Sequence, residues 1–375
     1  MKRTRLDSES KNPSLGWVGE APKILIIQQK MIGDVLVSSL ICENLKRNYP
    51  NSEIHYLINR FTIPVIENNP YIDEIIVFED LYRSNKIEFF KFLKEIKKSN
   101  YDVVIDAYGK LESNLITFFS KAKFTYSYTK WYTKCLYSST VKISDTSLIE
   151  AGSAIENRQR LLQLLPDVKV FNVKPKIYLT TAEVNTAHQQ INFARSEGNS
   201  NLIMVSALGS GDTKTYPLVY MADLLNEISA QTDAHFILNY MASQQAEINQ
   251  LLGFCKESTK ERIILDLTPK SLREFAAVCS QCNLIFGNEG GAINIAKAID
   301  VPSFVIFSPW ILKEGWNSFE YSYPNTSVHL SDFKPELLAN SKVNDIKANY
   351  KVFYKALEPK MFKTRLIDFV LSHLN

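Results

Sequence analysis

Long hydrophobic runs are missing from this sequence of 375 residues. No stretch approaches the roughly 18–20 apolar residues that a bilayer-spanning helix needs, which argues against an integral helical membrane protein. The first 20 residues are polar and charged and lack the apolar core of a secretory signal, so residues 1–20 are predicted to form a flexible extension. Both absences favour a cytoplasmic protein.

Cysteine is also scarce, and the five cysteines form no disulfide framework, which suits a reducing compartment. Cys279 and Cys282 make a single C-x-x-C. A zinc site normally needs a second pair or nearby histidines, and the five histidines are scattered. The pair also falls at the end of a predicted helix, whereas a redox pair would lie at its start. The sequence therefore predicts neither a bound metal nor a cofactor.

A strong net charge is absent as well. The formal charge is +3 and no nucleic-acid-binding module is present, so a nucleic-acid partner is not predicted. The charge is unevenly spread, because lysines and aromatic residues alternate between Lys86 and Lys142 with fewer acids. One interpretation is a solvated lysine face over an ordinary core. The other is a surface that meets a membrane with anionic headgroups or an anionic glycolipid acceptor.

Segments with strand character alternate with segments of helical character along the chain, which predicts an α/β protein with parallel sheets. Strands are predicted near 23–28, 53–58, 74–78, 102–106, 124–127, 140–143, 201–206, 235–239, 262–266, 283–286, 303–307 and 327–330, with a short strand within 173–179. Helices are predicted near 34–48, 61–68, 86–99, 111–121, 149–165, 181–197, 217–230, 243–254, 270–280 and 291–299.

The chain is too long for one ordinary core, and the pattern restarts after residue 180. We therefore predict two Rossmann-like domains that face a central cleft, at residues 21–180 and 181–342. Residues 343–375 are predicted to form a C-terminal helical segment. Its apolar stripe comprises Leu366, Phe369, Val370 and Leu374.

The most informative motif is Gly287-Asn288-Glu289-Gly290-Gly291-Ala292-Ile293-Asn294, between a predicted strand and a predicted helix. A glycine-rich turn at a helix N-terminus gathers unpaired N–H groups and the positive end of the helix dipole, which suits a diphosphate. The simpler interpretation is that the glycines only permit a tight turn. By itself this motif leaves the two interpretations equal.

A second motif, Lys30-Met31-Ile32-Gly33-Asp34-Val35-Leu36, follows the first predicted strand and opens a helix. Asp34 therefore lies just beyond the carboxyl end of a strand, the edge at which open α/β sheets bind ligands. One interpretation is a helix N-cap or first-turn acid. The other is a general base that faces the cleft.

A third loop, between Ala207 and Pro217, follows the first strand of the second half and contains Ser210 and Lys214. It is not a P-loop, because G-x-x-x-x-G-K-[ST] is absent. Lys214 is either a solvated loop lysine or a group that neutralises a phosphate. The first strand is followed by a single glycine, Gly33, so the dinucleotide fingerprint of dehydrogenases and epimerases is also missing.

Taken in order, these motifs resemble those of glycosyltransferase family 9, the heptosyltransferases of the lipopolysaccharide core. The resemblance runs from about Lys23 to about Leu330. The matching segments are Ile24–Leu36, Tyr49–Leu57, Tyr101–Asp106, Lys214–Pro217 (with tyrosine for the family's tryptophan), Leu267–Glu274, Gly287–Ala296, Asp300–Pro302 and Phe307–Pro309.

The resemblance implies a GT-B fold, with the acceptor on the N-terminal domain and a nucleotide sugar on the C-terminal domain. It also implies metal-independent, inverting transfer to a lipopolysaccharide-core or related glycolipid, in the cytoplasm or at the inner face of its membrane. By position, Asp34 would be the general base. The donor diphosphate would be bound by Lys214, Gly290 and Gly291, and the donor nucleotide or sugar by Ser210, Glu289 and Asn294.

The donor loop departs from the family pattern Asp-(Ser/Thr)-Gly-x-x-His, because it reads Glu289-Gly290-Gly291-Ala292-Ile293-Asn294. It lacks a hydroxyl, has a longer acid and replaces an imidazole with an amide. The resemblance therefore leaves open ADP-heptose or another nucleotide sugar as donor. It also leaves open a non-catalytic GT-B remnant that binds a nucleotide or a partner.

Overall fold

The computed structural model describes residues 21–171, 173–194, 201–320, 323–339 and 341–374, which form two parallel sheets with helices around them. The predicted extension, residues 1–20, lies outside the described residues. The first sheet has the order β3-β2-β1-β4-β5-β6. Its strands are β1 Lys23–Ile27, β2 Glu53–Asn59, β3 Glu74–Phe78, β4 Val103–Asp106, β5 Phe124–Tyr128 and β6 Ser139–Val141.

The second sheet has the order β11-β10-β9-β7-β8. Its strands are β7 Leu202–Ser206, β8 His235–Leu238, β9 Leu284–Asn288, β10 Ser303–Ile306 and β11 Asn325–Val328. Both orders are those of doubly wound nucleotide-binding folds, in which ligands bind where the strand order reverses. These switch points lie between β1 and β4 in the first sheet and between β7 and β9 in the second.

The helices that cover the sheets are α1 Ile32–Asn48, α2 Leu81–Ser84, α3 Lys86–Lys98, α4 Leu111–Ser120, α5 Ser153–Leu162, α6 Thr181–Ala194, α7 Leu218–Gln231, α8 Gln245–Phe254, α9 Glu257–Lys260, α10 Leu272–Cys279, α11 Gly291–Ala298, α12 Lys313–Trp316, α13 Glu336–Ala339, α14 Val343–Ala348, α15 Tyr350–Ala356 and α16 Lys363–Leu371. Short 3-10 helices lie at Arg60–Val65, Lys134–Leu136, Asp212–Lys214, Ala242–Gln244, Leu330–Asp332 and Pro359–Met361. None of the helices in the described residues is both long and apolar enough to cross a bilayer.

Three predicted elements differ from the structure. The predicted strand near 262–266 is reduced to one bridge between Ile263 and Phe236. Residues 173–180 form no strand. The predicted helix near 61–68 is a 3-10 helix, Arg60–Val65, that contains Pro64. Proline has no N–H to donate and obstructs the preceding turn, so an α-helix does not form there.

The C-terminal segment packs against the second sheet. Leu366, Phe369 and Val370 are buried in the same apolar cluster as Phe304 of β10, as the predicted stripe requires. Leu374 is partly buried against that cluster. The domain boundaries at residues 180 and 342 stay predictions.

The two halves contact one another through a partly buried arginine. Arg273 of α10 donates to the carbonyl oxygen of Pro64 at 3.2 Å and to that of Tyr178 at 2.8 Å. It also pairs with Glu183 at 2.6 Å, and this guanidinium lowers the pKa of Glu183 to about 2. Arg273 therefore ties the first half, the connecting chain and the second half together.

Candidate active site

A cleft of about 740 Å³ opens at the carboxyl ends of the strands in the second sheet, and its volume suits a nucleotide-sized ligand. Its walls come from the loops after β7, β8 and β9, from Thr268–Leu272, and from Ile32 of the first half. The cleft therefore lies at the switch point of the second sheet and is bounded on one side by the N-terminus of α1.

The predicted glycine-rich turn forms the floor of this cleft. Gly287 lies so close to β7 that a Cβ atom there would be 2.2 Å from the carbonyl oxygen of Ser206, and its φ of +133° also favours glycine. The turn leads into α11, whose N-cap residue Gly290 provides no side chain to bind the first N–H groups of the helix. These N–H groups can therefore bind an anion.

Asn288, at the end of β9, fixes the loop after β7 against this turn. Its amide nitrogen donates to the carbonyl oxygens of Ser206 at 3.0 Å and Ala207 at 2.8 Å. Its amide oxygen accepts from the N–H of Tyr216 at 2.7 Å. Both loops that could bind a donor are thus held by one buried side chain, which the sequence analysis did not identify as functional.

Lys214 belongs to the loop that Asn288 holds, and it pairs with the acid of the glycine-rich turn. Its ammonium lies 2.9 Å from Glu289 Oε1 and 5.5 Å from the centre of the Trp310 ring. Glu289 Oε1 accepts no hydrogen bond among the described residues, so this contact is an ion pair only. Gly209 permits the tight turn, because a Cβ atom there would lie 2.2 Å from the carbonyl oxygen of Lys214. The structure thus places a cation beside the N-terminus of α11.

Asp34 lies in the first turn of α1, whose N-cap residue is Met31. The carboxylate accepts a hydrogen bond of 2.7 Å from Arg158 Nη2 through Oδ1, and 29% of its side chain remains exposed. Arg158 is buried in α5 and also donates to Ser38 Oγ at 3.1 Å and to the carbonyl oxygen of Ala154 at 3.1 Å. Asp34 is therefore an ion-paired acid held in one orientation and open to solvent on one side.

The charge of Arg158 is maintained by its neighbours. Burial opposes that charge, but Tyr128 and Asp34 outweigh burial and raise the pKa of Arg158. Tyr128 is itself buried, and its hydroxyl has no hydrogen-bond partner among the described residues. Asp34 thus faces a cation that stays protonated.

Asp106, at the end of β4, is an acid at the same edge of the first sheet as Asp34. It is fully buried, and burial raises its pKa. One carboxylate oxygen accepts from the N–H groups of Tyr108 and Gly109, and the other accepts from the hydroxyl of Tyr137 at 2.7 Å. Asp106 therefore holds its loop in place, whereas Asp34 is accessible.

The first turn of α1, which contains Asp34, contacts the first turns of α11 beside the cleft. A Cβ atom on Gly33 would lie 2.7 Å from Asn294 Nδ2, and a Cβ atom on Gly291 would lie 3.8 Å from Ile32 Cγ2. Two motifs more than 250 residues apart in sequence therefore form one site. The amide of Asn294 lies at this junction.

Four of the seven predicted site residues line the cleft, and three do not. Ser210, Glu289, Gly290 and Gly291 line it. Lys214, Asn294 and Asp34 are not among the lining residues. Lys214 pairs with Glu289, Asn294 lies against Gly33, and Asp34 pairs with Arg158. The sequence analysis missed Arg158 and the wall after β8, which includes Asn239, Tyr240 and Gln244. The sequence could have indicated the wall residues, because they directly follow a predicted strand. No local sequence pattern marks Arg158.

One group of potential metal ligands lies outside the cleft. Glu53, His55 and Glu74 have ligand atoms within 4.8 Å of one another, and no ion is present. They lie at the amino ends of β2 and β3, the edge opposite the cleft, and Glu53 already pairs with Lys23 at 2.9 Å. This group cannot contact a ligand in the cleft.

Similarity to known proteins identifies the family of this chain. Residues 89–311 match the model of glycosyltransferase family 9 (heptosyltransferase). The chain belongs to glycosyltransferase family 9. It is a glycosyltransferase, and the predicted family membership is confirmed.

Among curated proteins, this glycosyltransferase is similar to lipopolysaccharide heptosyltransferase 1 of Campylobacter coli. The two are 23% identical over 300 residues, which cover 76% of this chain and 83% of the relative.

Two solved structures share the fold of this glycosyltransferase. A glycosyl transferase family 9 protein of Veillonella parvula DSM 2008 aligns with a TM-score of 0.77 and 17% identity, over 94% of this chain and 98% of that one. The heptosyltransferase WaaC of E. coli with ADP aligns with a TM-score of 0.60 and 14% identity, over 89% of this chain and 98% of that one. The GT-B fold is therefore confirmed.

Proposed function

We propose that this glycosyltransferase moves heptose or a related sugar from a nucleoside diphosphate to a lipopolysaccharide-core or related glycolipid acceptor, with inversion at the anomeric carbon. One observation carries the proposal. The first turn of α1 contains the accessible carboxylate of Asp34 and contacts α11 where Gly33 lies against Asn294. The N-terminus of α11 has free N–H groups that suit an anion. A base held close to a leaving-group site is what such a transfer requires.

On the donor side, the leaving diphosphate gains negative charge as its bond to the sugar breaks. The N–H groups at Gly290 and Gly291 and the positive end of α11 would hold its oxygens. Lys214 would move from Glu289 to the diphosphate, because a dianionic group attracts the ammonium more strongly than one carboxylate does. Glu289 would then be released to accept hydrogen bonds from hydroxyl groups of the donor, with Ser210 nearby on the same wall.

On the acceptor side, a hydroxyl oxygen attacks the anomeric carbon from the face opposite the diphosphate, and this direction of attack gives inversion. The bond from that carbon to the diphosphate oxygen breaks as the new bond forms. The hydroxyl proton passes to Asp34. Arg158 holds Oδ1 of Asp34, so Oδ2 is the oxygen that would accept the proton. A general base of this kind typically contributes about 10²- to 10⁴-fold in rate.

Transfer without a metal ion is part of the proposal. Divalent cations at phosphate sites are held by carboxylates, and Glu289 is the only acidic residue among the described residues that line the cleft. Lys214 and the α11 N-terminus together supply the positive charge that a metal would otherwise provide.

The donor we propose first is ADP-heptose, since several relatives are named as heptosyltransferases and one solved neighbour contains ADP. A different nucleotide sugar is the second candidate. The departure from the family pattern at Asn294 favours this candidate. The amide of Asn294 lies against Gly33, and Asn294 does not line the cleft. A non-catalytic remnant is less well supported, because the pairs Asp34–Arg158 and Lys214–Glu289 are both in place.

We propose a glycolipid acceptor that reaches the first half at the inner face of the cytoplasmic membrane. Asp34 belongs to that half, and the loops after β4 and β5 lie at the same edge of the sheet. Lys110 and Lys130 belong to those loops and would attract an anionic acceptor.

A thermal-shift screen against ADP, GDP, UDP, CDP and dTDP, with EDTA and then with Mg²⁺, tests the donor proposal. We expect ADP to raise the melting temperature by a few degrees in EDTA, since ligand at about 100 times its Kd stabilises by about 2.7 kcal/mol. A response to a different nucleotide would change the donor. A response only with Mg²⁺ would contradict metal-independent binding, and no response to any nucleotide would favour the remnant.

The variant Lys214→Ala tests the charge on the donor side. Removing a charge-assisted contact to the diphosphate is expected to weaken nucleoside diphosphate binding by about 10- to 100-fold, from about 1.5–3 kcal/mol per such contact. Adenosine, which has no phosphate, should bind equally to both proteins. Lys347→Ala is the matched control, because its ammonium lies 4.4 Å from the same Trp310 ring but belongs to α14. Calorimetric titration measures each affinity, and equal ADP affinity in Lys214→Ala would remove the phosphate role.

A further inference from the structure

The outer surfaces of α3 and α4 expose large apolar side chains at helical spacing. In α3, Ile87 is 70% exposed and Phe90 is 48% exposed, three positions apart. In α4, Leu111 is 71% exposed and Phe118 is 48% exposed, seven positions apart. Residues at these spacings lie on one face of a helix. Each helix therefore has an apolar outer stripe as well as the apolar side that packs on the sheet.

The two stripes belong to one surface. The helices pack side by side, and the ring of Phe90 lies 6.3 Å from that of Phe119, which in turn lies 5.5 Å from Phe118. We call this surface the α3–α4 face and define it by Ile87, Phe90, Leu111 and Phe118. Contiguous exposed apolar area of this kind marks an interaction site.

Lysines cover the edges of the α3–α4 face. The ammonium of Lys94 lies 4.8 Å from the centre of the Phe90 ring, and that of Lys121 lies 4.3 Å from the centre of the Phe118 ring. Helix α3 as a whole has five lysines against two glutamates. Apolar and aromatic side chains surrounded by lysine suit the boundary between anionic headgroups and acyl chains.

The α3–α4 face extends to the carboxyl edge of the first sheet. Helices α3 and α4 follow β3 and β4, so Ile87 and Leu111 lie near the carboxyl ends of those strands, the same edge as Asp34. In the turn after β5, Trp131 is 91% exposed and Tyr132 is 58% exposed. The 3-10 helix Lys134–Leu136, which follows this turn, contacts α4. Tryptophan and tyrosine favour the membrane–water interface.

We propose that the α3–α4 face, together with Trp131 and Tyr132, docks on an anionic lipid bilayer and orients the cleft toward glycolipid headgroups. The orientation rests on the proposed glycolipid acceptor, but the docking itself does not. The apolar side chains of the face insert at the level of the headgroups, and the lysines pair with lipid phosphates. An acceptor embedded in that bilayer then reaches Asp34 without leaving the membrane.

Vesicle flotation tests this proposal. The full chain is mixed with vesicles of phosphatidylcholine and phosphatidylglycerol, or of phosphatidylcholine alone. We expect binding to the anionic vesicles that decreases as salt is raised. The double variant Phe90→Glu with Phe118→Glu should bind about tenfold more weakly, since it removes apolar area and adds negative charge. Val352→Glu is the matched control, because Val352 is 68% exposed on α15 in the second half.

Each outcome has a distinct meaning. Equal vesicle binding by the wild type and the double variant, or no binding to anionic vesicles, would overturn the docking proposal. A dimer in solution that the double variant dissociates, without vesicle binding, would instead assign the face to a second copy of this chain. The double variant should still respond to nucleotide in the thermal-shift assay. Vesicle binding without any nucleotide response would retain the docking and remove the proposed function.

Discussion

Replacing Asp34 with asparagine is expected to lower kcat by about 10²- to 10⁴-fold while leaving donor affinity unchanged. The amide keeps the size of the carboxylate and can still accept the hydrogen bond from Arg158, so the local structure should persist. It cannot take the proton of the acceptor hydroxyl. The loss should therefore appear in turnover and not in binding.

The measurement uses ADP-heptose, or the sugar conjugate of the nucleotide that gives the largest thermal shift, with a lipopolysaccharide-core acceptor. Asp80→Asn is the matched control, since Asp80 follows β3 at the same edge of the sheet and its side chain is 82% exposed. We expect it to retain full activity. Wild-type turnover by Asp34→Asn would exclude Asp34 as the base, and a loss confined to donor affinity would assign it to binding.

Replacing Arg158 with methionine is the second change with a large expected effect. The guanidinium holds Asp34, Ser38 and the α5 backbone in one arrangement, and misplacing a reacting group by about 1 Å can cost about 10²-fold in rate. We expect kcat to fall by about 10- to 100-fold with the KM for the donor unchanged. Asp34 is partly exposed, so water can solvate its carboxylate when the arginine is removed.

A lysine at position 158 should recover part of the activity, because it restores the charge but not the forked geometry of the guanidinium. Arg160→Met is the control for general damage to α5, since Arg160 pairs with Glu156 at 2.7 Å on the same helix. Steady-state kinetics and melting temperatures are measured for all three variants. If Arg158→Met and Arg160→Met lose activity in equal proportion to their loss of stability, Arg158 has only a structural role.

Most of the fold could be predicted because its signals are local. The strand β1 has four consecutive apolar residues, Ile24–Ile27, and all four are buried because helices cover both sides of the sheet. Most of the predicted helices end within a few residues of where the structure ends them, and the predicted end of the helix near 181–197 lies outside the described residues. One error arose because Pro64 prevents the α-helix that the surrounding residues favour. Another arose because the apolar segment 262–266 forms only one bridge to a neighbouring strand.

The site could be predicted only in part. Glu289, Gly290 and Gly291 were identified because a glycine-rich turn at the end of a strand is visible in the sequence, and all three line the cleft. Their roles, and those of Asp34 and Lys214, stay predictions. Arg158 was not identified, since an arginine in an amphipathic helix has no pattern that marks it as the partner of an acid 124 positions earlier.

The sequence by itself determined two α/β halves, the loops at their strand ends and the family, because all of these follow from local patterns and their order along the chain. The tertiary structure decided which side chains meet. It paired Asp34 with Arg158 and Lys214 with Glu289, and it brought Gly33 against Asn294. Such contacts depend on how helices pack across two sheets, and that packing is set by the whole core and not by any one segment.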